Sequence, residues 1–121
     1  MAAEKSMVRK VRHFASSLLA SWGVAVSDQE SALLIVGELG ANAARHGGAE
    51  VAVCLLLRGR TLRIAVRDSG PLPSARPAGE GGRGLTIVGH LAHRVETTVS
   101  EQGRTVRAEL RLTAPALCGG R

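Results

Sequence analysis

Apolar residues recur along this chain with two different periods. From Glu4 to Trp22, the positions Val8, Val11, Phe14 or Ala15, and Leu18 with Leu19 follow helical spacing, and Gly23 follows as a stop signal, so a first amphipathic helix is predicted there. Ser27, Asp28, Gln29 and Glu30 then form a capping-box pattern, in which the Ser27 hydroxyl and the Glu30 carboxylate each satisfy a backbone donor. The second helix predicted from this point runs to about His46 and is ended by Gly47 and Gly48.

The period then changes. Glu50 to Leu57 and Thr61 to Asp68 read as extended runs joined by Arg58, Gly59 and Arg60, a length that suits a hairpin. The first run is apolar on both faces and is expected inside a sheet. Ser69 to Gly82 is dense in Gly and Pro, which sustain neither helix nor ladder, so a mobile lid-like loop is expected. A third helix from about Gly84 to His93 and strands near Val95 to Val99 and Arg104 to Leu112, joined by Gln102 and Gly103, complete the core. The order predicts an α/β protein, a two-layer α+β sandwich with a mostly antiparallel or mixed sheet and helices on one face. Residues 1–112 are expected to form one domain, and 113–121 a flexible tail. No internal repeat is present.

Composition narrows the class. A chain of 121 residues suits one domain, and no apolar run approaches the twenty or so residues that a membrane span needs, so a soluble globular protein without a membrane role is expected. Met1 to Lys10 carries no long apolar block behind its charges, so no signal peptide is visible and the cytoplasm is favoured. Cys54, in an apolar run, and Cys118, in the tail, offer neither a disulfide framework nor metal-ligand spacing, and read as one buried and one loose thiol. A net charge of +6 and a pI near 11 invite a nucleic-acid reading. The bases are scattered, however, and Phe14 and Trp22 are too few aromatic residues for stacking, so no direct nucleic-acid partner is expected.

Three local signals carry chemistry. The second helix is apolar almost all round, yet Glu38, Asn42, Arg45 and His46 fall within a stripe of roughly 100°. Such a stripe is either a solvent face or a row of polar groups meeting partners or a ligand, since burial without either costs several kcal/mol. Asp68 shares its strand parity with Leu62, Ile64 and Val66 and so points inward, while Arg63 and Arg67 point out. An inward carboxylate wants a donor; a turn-initiating Asp is the alternative. Gly81, Gly82, Arg83 and Gly84 lead into a helix whose amino end and free amides favour an anion, although such a cluster also serves as a plain connection.

The segments from Glu38 to Gly47, from Asp68 to Pro73 and from Gly82 to Val88 resemble, in order and spacing, the three ATP-site boxes of the GHKL superfamily of gyrase, Hsp90, histidine-kinase and MutL ATPases. Within it the chain looks most like the anti-sigma-factor serine kinases and their single-domain relatives, over nearly all of Met7 to Leu112. The resemblance implies a Bergerat-type ATP-binding fold with ATP and Mg²⁺ as cofactors. It implies that Asn42 ligates the magnesium, Glu38 acts as general base and Asp68 accepts the adenine amino hydrogen. It further implies that Gly70 lets the base approach, Leu72 and Leu85 pack near the site, Gly82, Arg83 and Gly84 cover the phosphates, and Arg45 adds a phosphate contact. His46, His90 and His93 read as surface or interface residues.

By the same resemblance the partners are a sigma factor and an anti-anti-sigma protein, and the activity is protein-serine/threonine kinase and transcription regulation. Alternatives are a noncatalytic nucleotide-dependent interaction module, a detached histidine-kinase catalytic domain and, from the charge alone, a basic nucleic-acid binder. Departures from the pattern are also present. Pro71 and Leu72 stand where a further glycine is usual, and Gly103 is followed by Arg104 where the superfamily often has Thr. Thr105 has the opposite parity to Val106 and is not assigned to the base pocket. Relatives tend to begin with a strand before the first helix, which Met1 to Lys5 does not supply, and this bears on sheet-edge pairing and on a homodimer.

Overall fold

The computed structural model describes residues 2–45, 50–69, 82–101 and 103–117, with the backbone alone for 2–5 and 82–86. The elements run α1 (Ala2–Ser21), α2 (Val26–Arg45), β1 (Val51–Arg58), β2 (Thr61–Asp68), α3 (Gly82–Leu91), β3 (Arg94–Ser100) and β4 (Gly103–Arg111). The four strands form one antiparallel sheet in the order β1-β2-β4-β3. Helix α2 lies on β2 and reaches β1 and β4, α1 packs along α2, and α3 sits between α2 and β3. This is the two-layer α/β arrangement that the period change predicts.

In α1 the apolar stripe resolves in favour of Ala15, fully buried with Leu19, whereas Phe14 turns half into solvent. The helix ends at Gly23, which takes a left-handed conformation (φ 72°) and donates its N–H to Ala20 O at 3.0 Å while Val24 N–H reaches Leu19 O at 3.1 Å. Helix α2 begins one residue ahead of the expected cap. Ser27 is exposed inside its first turn, where the Gln29 backbone N–H closes the first helical bond to Ala25 O at 2.8 Å and the Gln29 side-chain amide donates to Val24 O at 2.8 Å, tying the turn to the preceding connection. Leu62, Ile64 and Val66 of β2 and Val106, Ala108 and Leu110 of β4 face Ile35, Val36 and Leu39 in one continuous core.

Two readings of β1 are corrected here. The apolar strand β1 is not inside the sheet but at its edge, and its residues alternate between half-buried and exposed. Cys54 therefore lies on the uncovered face and is an exposed thiol, not a buried one. The segment after β4 makes hydrogen bonds to the rest of the fold as far as Leu117. Arg60 donates to the Leu112 and Thr113 carbonyls, Asp28 accepts from Thr113, and Leu117 N–H reaches Gly23 O at 3.2 Å. A short stretch rich in Ala, Pro and Gly reads as tail by composition because the distant groups that hold it are invisible locally.

Candidate functional site

The polar stripe of α2 is not wholly a solvent face. Asn42 is 4% exposed and shares the buried side of the helix with Ile35, Leu39 and Ala43. The spacing that buries those apolar residues carries Asn42 inward with them. Among the described residues its amide has no hydrogen-bond partner, an arrangement that costs about 1–3 kcal/mol unless something outside the protein completes it. One turn earlier Glu38 is half-buried, and one turn later Arg45 is exposed in the last turn of α2. The helix thus offers a buried amide, a partly wet carboxylate and an exposed guanidinium along one side.

Asp68 closes β2 and is 3% exposed, on the same face as Leu62, Ile64 and Val66, as its parity predicts, while Arg63 and Arg67 are exposed on the other face. Arg63 spends its charge there on Glu109, at 2.9 Å. Directly opposite Asp68 in the β2–β4 register stands Arg104, whose Nη2 lies 3.8 Å from Asp68 Oδ2. Gly103 precedes it with φ 142°, and a Cβ at that position would run into the Asp68 carbonyl, so the close approach of the two strands needs glycine. Burial lowers the Arg104 guanidinium from its ordinary value by desolvation, although it remains charged at neutral pH.

Helix α3 starts at Gly82, earlier than expected, so Gly82, Arg83 and Gly84 form its first turn, not a loop ahead of it. The first N–H groups of any helix lack intrahelical partners, so these three residues carry donors without an intrahelical acceptor at the positive end of the helix dipole. Of Leu85, only its place on the helix backbone is described. Gly70 and Leu72, with the rest of 70–81 in the segment read as a lid, and His46 lie outside the described residues. His90 and His93 are exposed.

A cavity of about 590 Å³, lined by Glu50, Val51, Ala52, Arg67 and Ser69, also opens at this end of the sheet. Ala52 and Arg67 pair across β1 and β2 on the outer face, so most of this cavity lies on the side away from Asp68. Among the described residues no group of three or more His, Cys, Asp or Glu side chains is gathered for a metal. Magnesium, which commonly takes one or two protein ligands and the phosphates of its nucleotide, does not require one. Among the described residues no helix is long and apolar enough to cross a membrane.

The sequence profile of the histidine kinase-like ATPase domain matches residues 1–110. The chain belongs to the histidine kinase-like ATPase domain family. Its structure is similar to the histidine kinase domain of the blue-light activated histidine kinase of Erythrobacter litoralis, with a TM-score of 0.52 and 25% identity over 69% of this chain and 44% of that one. A second structure of that blue-light activated histidine kinase gives a TM-score of 0.57 at 25% identity, covering 74% of this chain and 32% of the other. The chain thus spans less than half the length of these two solved structures. No curated protein is significantly similar to it.

As a histidine kinase-like ATPase fold and a member of the GHKL superfamily, the chain holds its box residues at the ends of core elements: Asn42 late in α2, Asp68 last in β2, and Gly82 first in α3. Sequence reasoning passed over two residues. Arg104 stood out only as a departure from a pattern, although the alternation of Val106, Ala108 and Leu110 that puts Thr105 outside also puts Arg104 inside. Asp28 looked like part of a cap and is instead a buried carboxylate, 3% exposed, that accepts from Thr113 and Ala114.

Proposed function

We propose that this chain is an ATP- and magnesium-binding protein-serine kinase of the anti-sigma type, which regulates transcription by exchanging between a sigma factor and an anti-anti-sigma protein. The observation that carries the nucleotide part is the buried Asn42 amide without a partner among the described residues, on the same side of α2 as the half-buried Glu38. An amide oxygen suits a hard cation that keeps most of its water, so Asn42 fits magnesium, and bound magnesium would neutralise charge on the phosphates. Asp68, inward at the end of β2, accepts the amino hydrogen of adenine. The first-turn amides of Gly82, Arg83 and Gly84 receive phosphate oxygens, and Arg45 adds a charge contact from α2. Glu38 takes the proton from the acceptor hydroxyl, a role suited to a carboxylate that is partly wet and free to accept.

The serine-kinase reading is supported by the resemblance of the three boxes to that branch of the superfamily. A second reading, a histidine-kinase catalytic domain, is favoured by the two similar solved structures, both of a histidine kinase. The two differ in the phosphorylated product: phosphoserine survives acid, whereas phosphohistidine does not. The test is a pulldown from host lysate with ATP, ADP or neither, followed by transfer of labelled phosphate to the recovered protein. Recovery of a sigma factor or its antagonist in a nucleotide-dependent way, with an acid-stable label, is the expected result. Acid-labile label on a histidine, or tight nucleotide-independent binding to generic DNA that falls with salt, overturns it.

A further inference from the structure

The inner face of the sheet ends in one row, Val51 on β1, Asp68 on β2, Arg104 on β4 and Val99 on β3. A guanidinium in this row is unusual company for an apolar face. The Asp68 side chain is 4% exposed and that of Arg104 15%, and Arg104 Nη2 lies 3.8 Å from Asp68 Oδ2. That distance is beyond hydrogen-bond range, so the pair attracts without locking. An arginine present only to neutralise a carboxylate would gain most from a bidentate fork at hydrogen-bond distance. Arg104 forms no such fork. Among the described residues its guanidinium makes no hydrogen bond, although it carries five donors and is largely withdrawn from water. Gly103 is what holds it there, since only a residue without a Cβ lets β4 begin against the Asp68 backbone.

We propose that Arg104 is a second base-reading residue: it donates to the ring nitrogen N1 of adenine beside the exocyclic amine that Asp68 accepts. The inference rests on the ATP reading of Asp68. Adenine presents a donor and an acceptor side by side on one edge, and Asp68 with Arg104 presents the complementary acceptor and donor from adjacent strands at one register position. The desolvated guanidinium strengthens such a contact, because a charged donor in a low-dielectric row has little water to give up.

The test compares ATP with an analogue in which N1 is replaced by C–H and the amine is kept, using the full chain, Arg104→Ala and Arg104→Gln. A hydrogen bond to a charged group predicts that the parent prefers ATP by about tenfold or more. Arg104→Ala should weaken ATP by that factor, leave the analogue almost unchanged and bring the ratio near one. Arg104→Gln, which keeps an N–H, should retain part of the preference. The ratio is read within each protein, so a general loss of stability does not produce it. A parent that binds both nucleotides equally, or an Arg104→Ala protein that keeps the parent's ratio, overturns the role of Arg104 while ATP binding stands. A parent that binds neither overturns this inference together with the proposed function.

Discussion

Asp28, in the first turn of α2, accepts hydrogen bonds at 3.0–3.1 Å from both the backbone N–H and the side-chain hydroxyl of Thr113, just beyond β4. The contact joins residues 85 positions apart and ties the start of the central helix to the end of the central sheet. Since each hydrogen bond to a charged group contributes about 1.5–3 kcal/mol, Asp28→Ala is expected to destabilise the fold by about 2–3 kcal/mol. The thermal midpoint should fall by about 10 °C. Thr113→Val, which keeps the N–H, should cost about 1 kcal/mol. Thermal denaturation followed by circular dichroism checks both, and a midpoint for Asp28→Ala within about 2 °C of the parent would show that the clamp is idle.

The fate of Asn42 makes a sharper case, because stability and function are expected to move in opposite directions. A buried amide without a partner opposes folding, so Asn42→Leu, of similar volume, should leave the nucleotide-free midpoint unchanged or raise it. The same substitution should abolish the rise in midpoint that magnesium and ATP give the parent, worth about 2.7 kcal/mol at one hundred times Kd. Differential scanning fluorimetry reads both effects. A lowered nucleotide-free midpoint with the ATP response intact would mean that Asn42 is a packing residue.

How much of this was legible in the sequence follows from the range of the forces involved. Period alone reveals the helix-then-sheet order and the inward direction of Asp68, because alternation and 3.6-residue spacing are local. Strand order is set by long-range pairing, and that is why β1, apolar on both faces, was read as interior although it lies at an edge with Cys54 and Leu56 exposed. Asp28 gave no local sign of its partner across the chain. Arg104 was legible in principle from strand parity, but its meaning required the register that sets it opposite Asp68. The stripe holding Asn42 stayed open between solvent and interior because only packing distinguishes the buried side of a helix that is apolar nearly all round.

Glu38 separates binding from turnover. Glu38→Gln is nearly isosteric and keeps a half-buried polar group, so the fold and most of the ATP affinity should survive while phosphoryl transfer falls by about 10²–10⁴-fold, the range of a general base. Single-turnover transfer measured beside equilibrium binding checks this. Equal loss of both would assign Glu38 to the structure of the site instead of to proton removal.

The central claim, that the Asn42 and Asp68 ends of this fold together hold ATP with magnesium, is tested most directly by isothermal titration of ATP into the parent, Asp68→Asn and Asn42→Ala, with and without magnesium. The expected result is parent binding that is weak without the metal and strengthened by it. Asp68→Asn should weaken binding in both conditions, since the base contact is independent of the metal. Asn42→Ala should remove the response to magnesium while sparing the weak metal-free binding. If both variants bind ATP as the parent does, and the parent is indifferent to magnesium, the site is not where these residues put it.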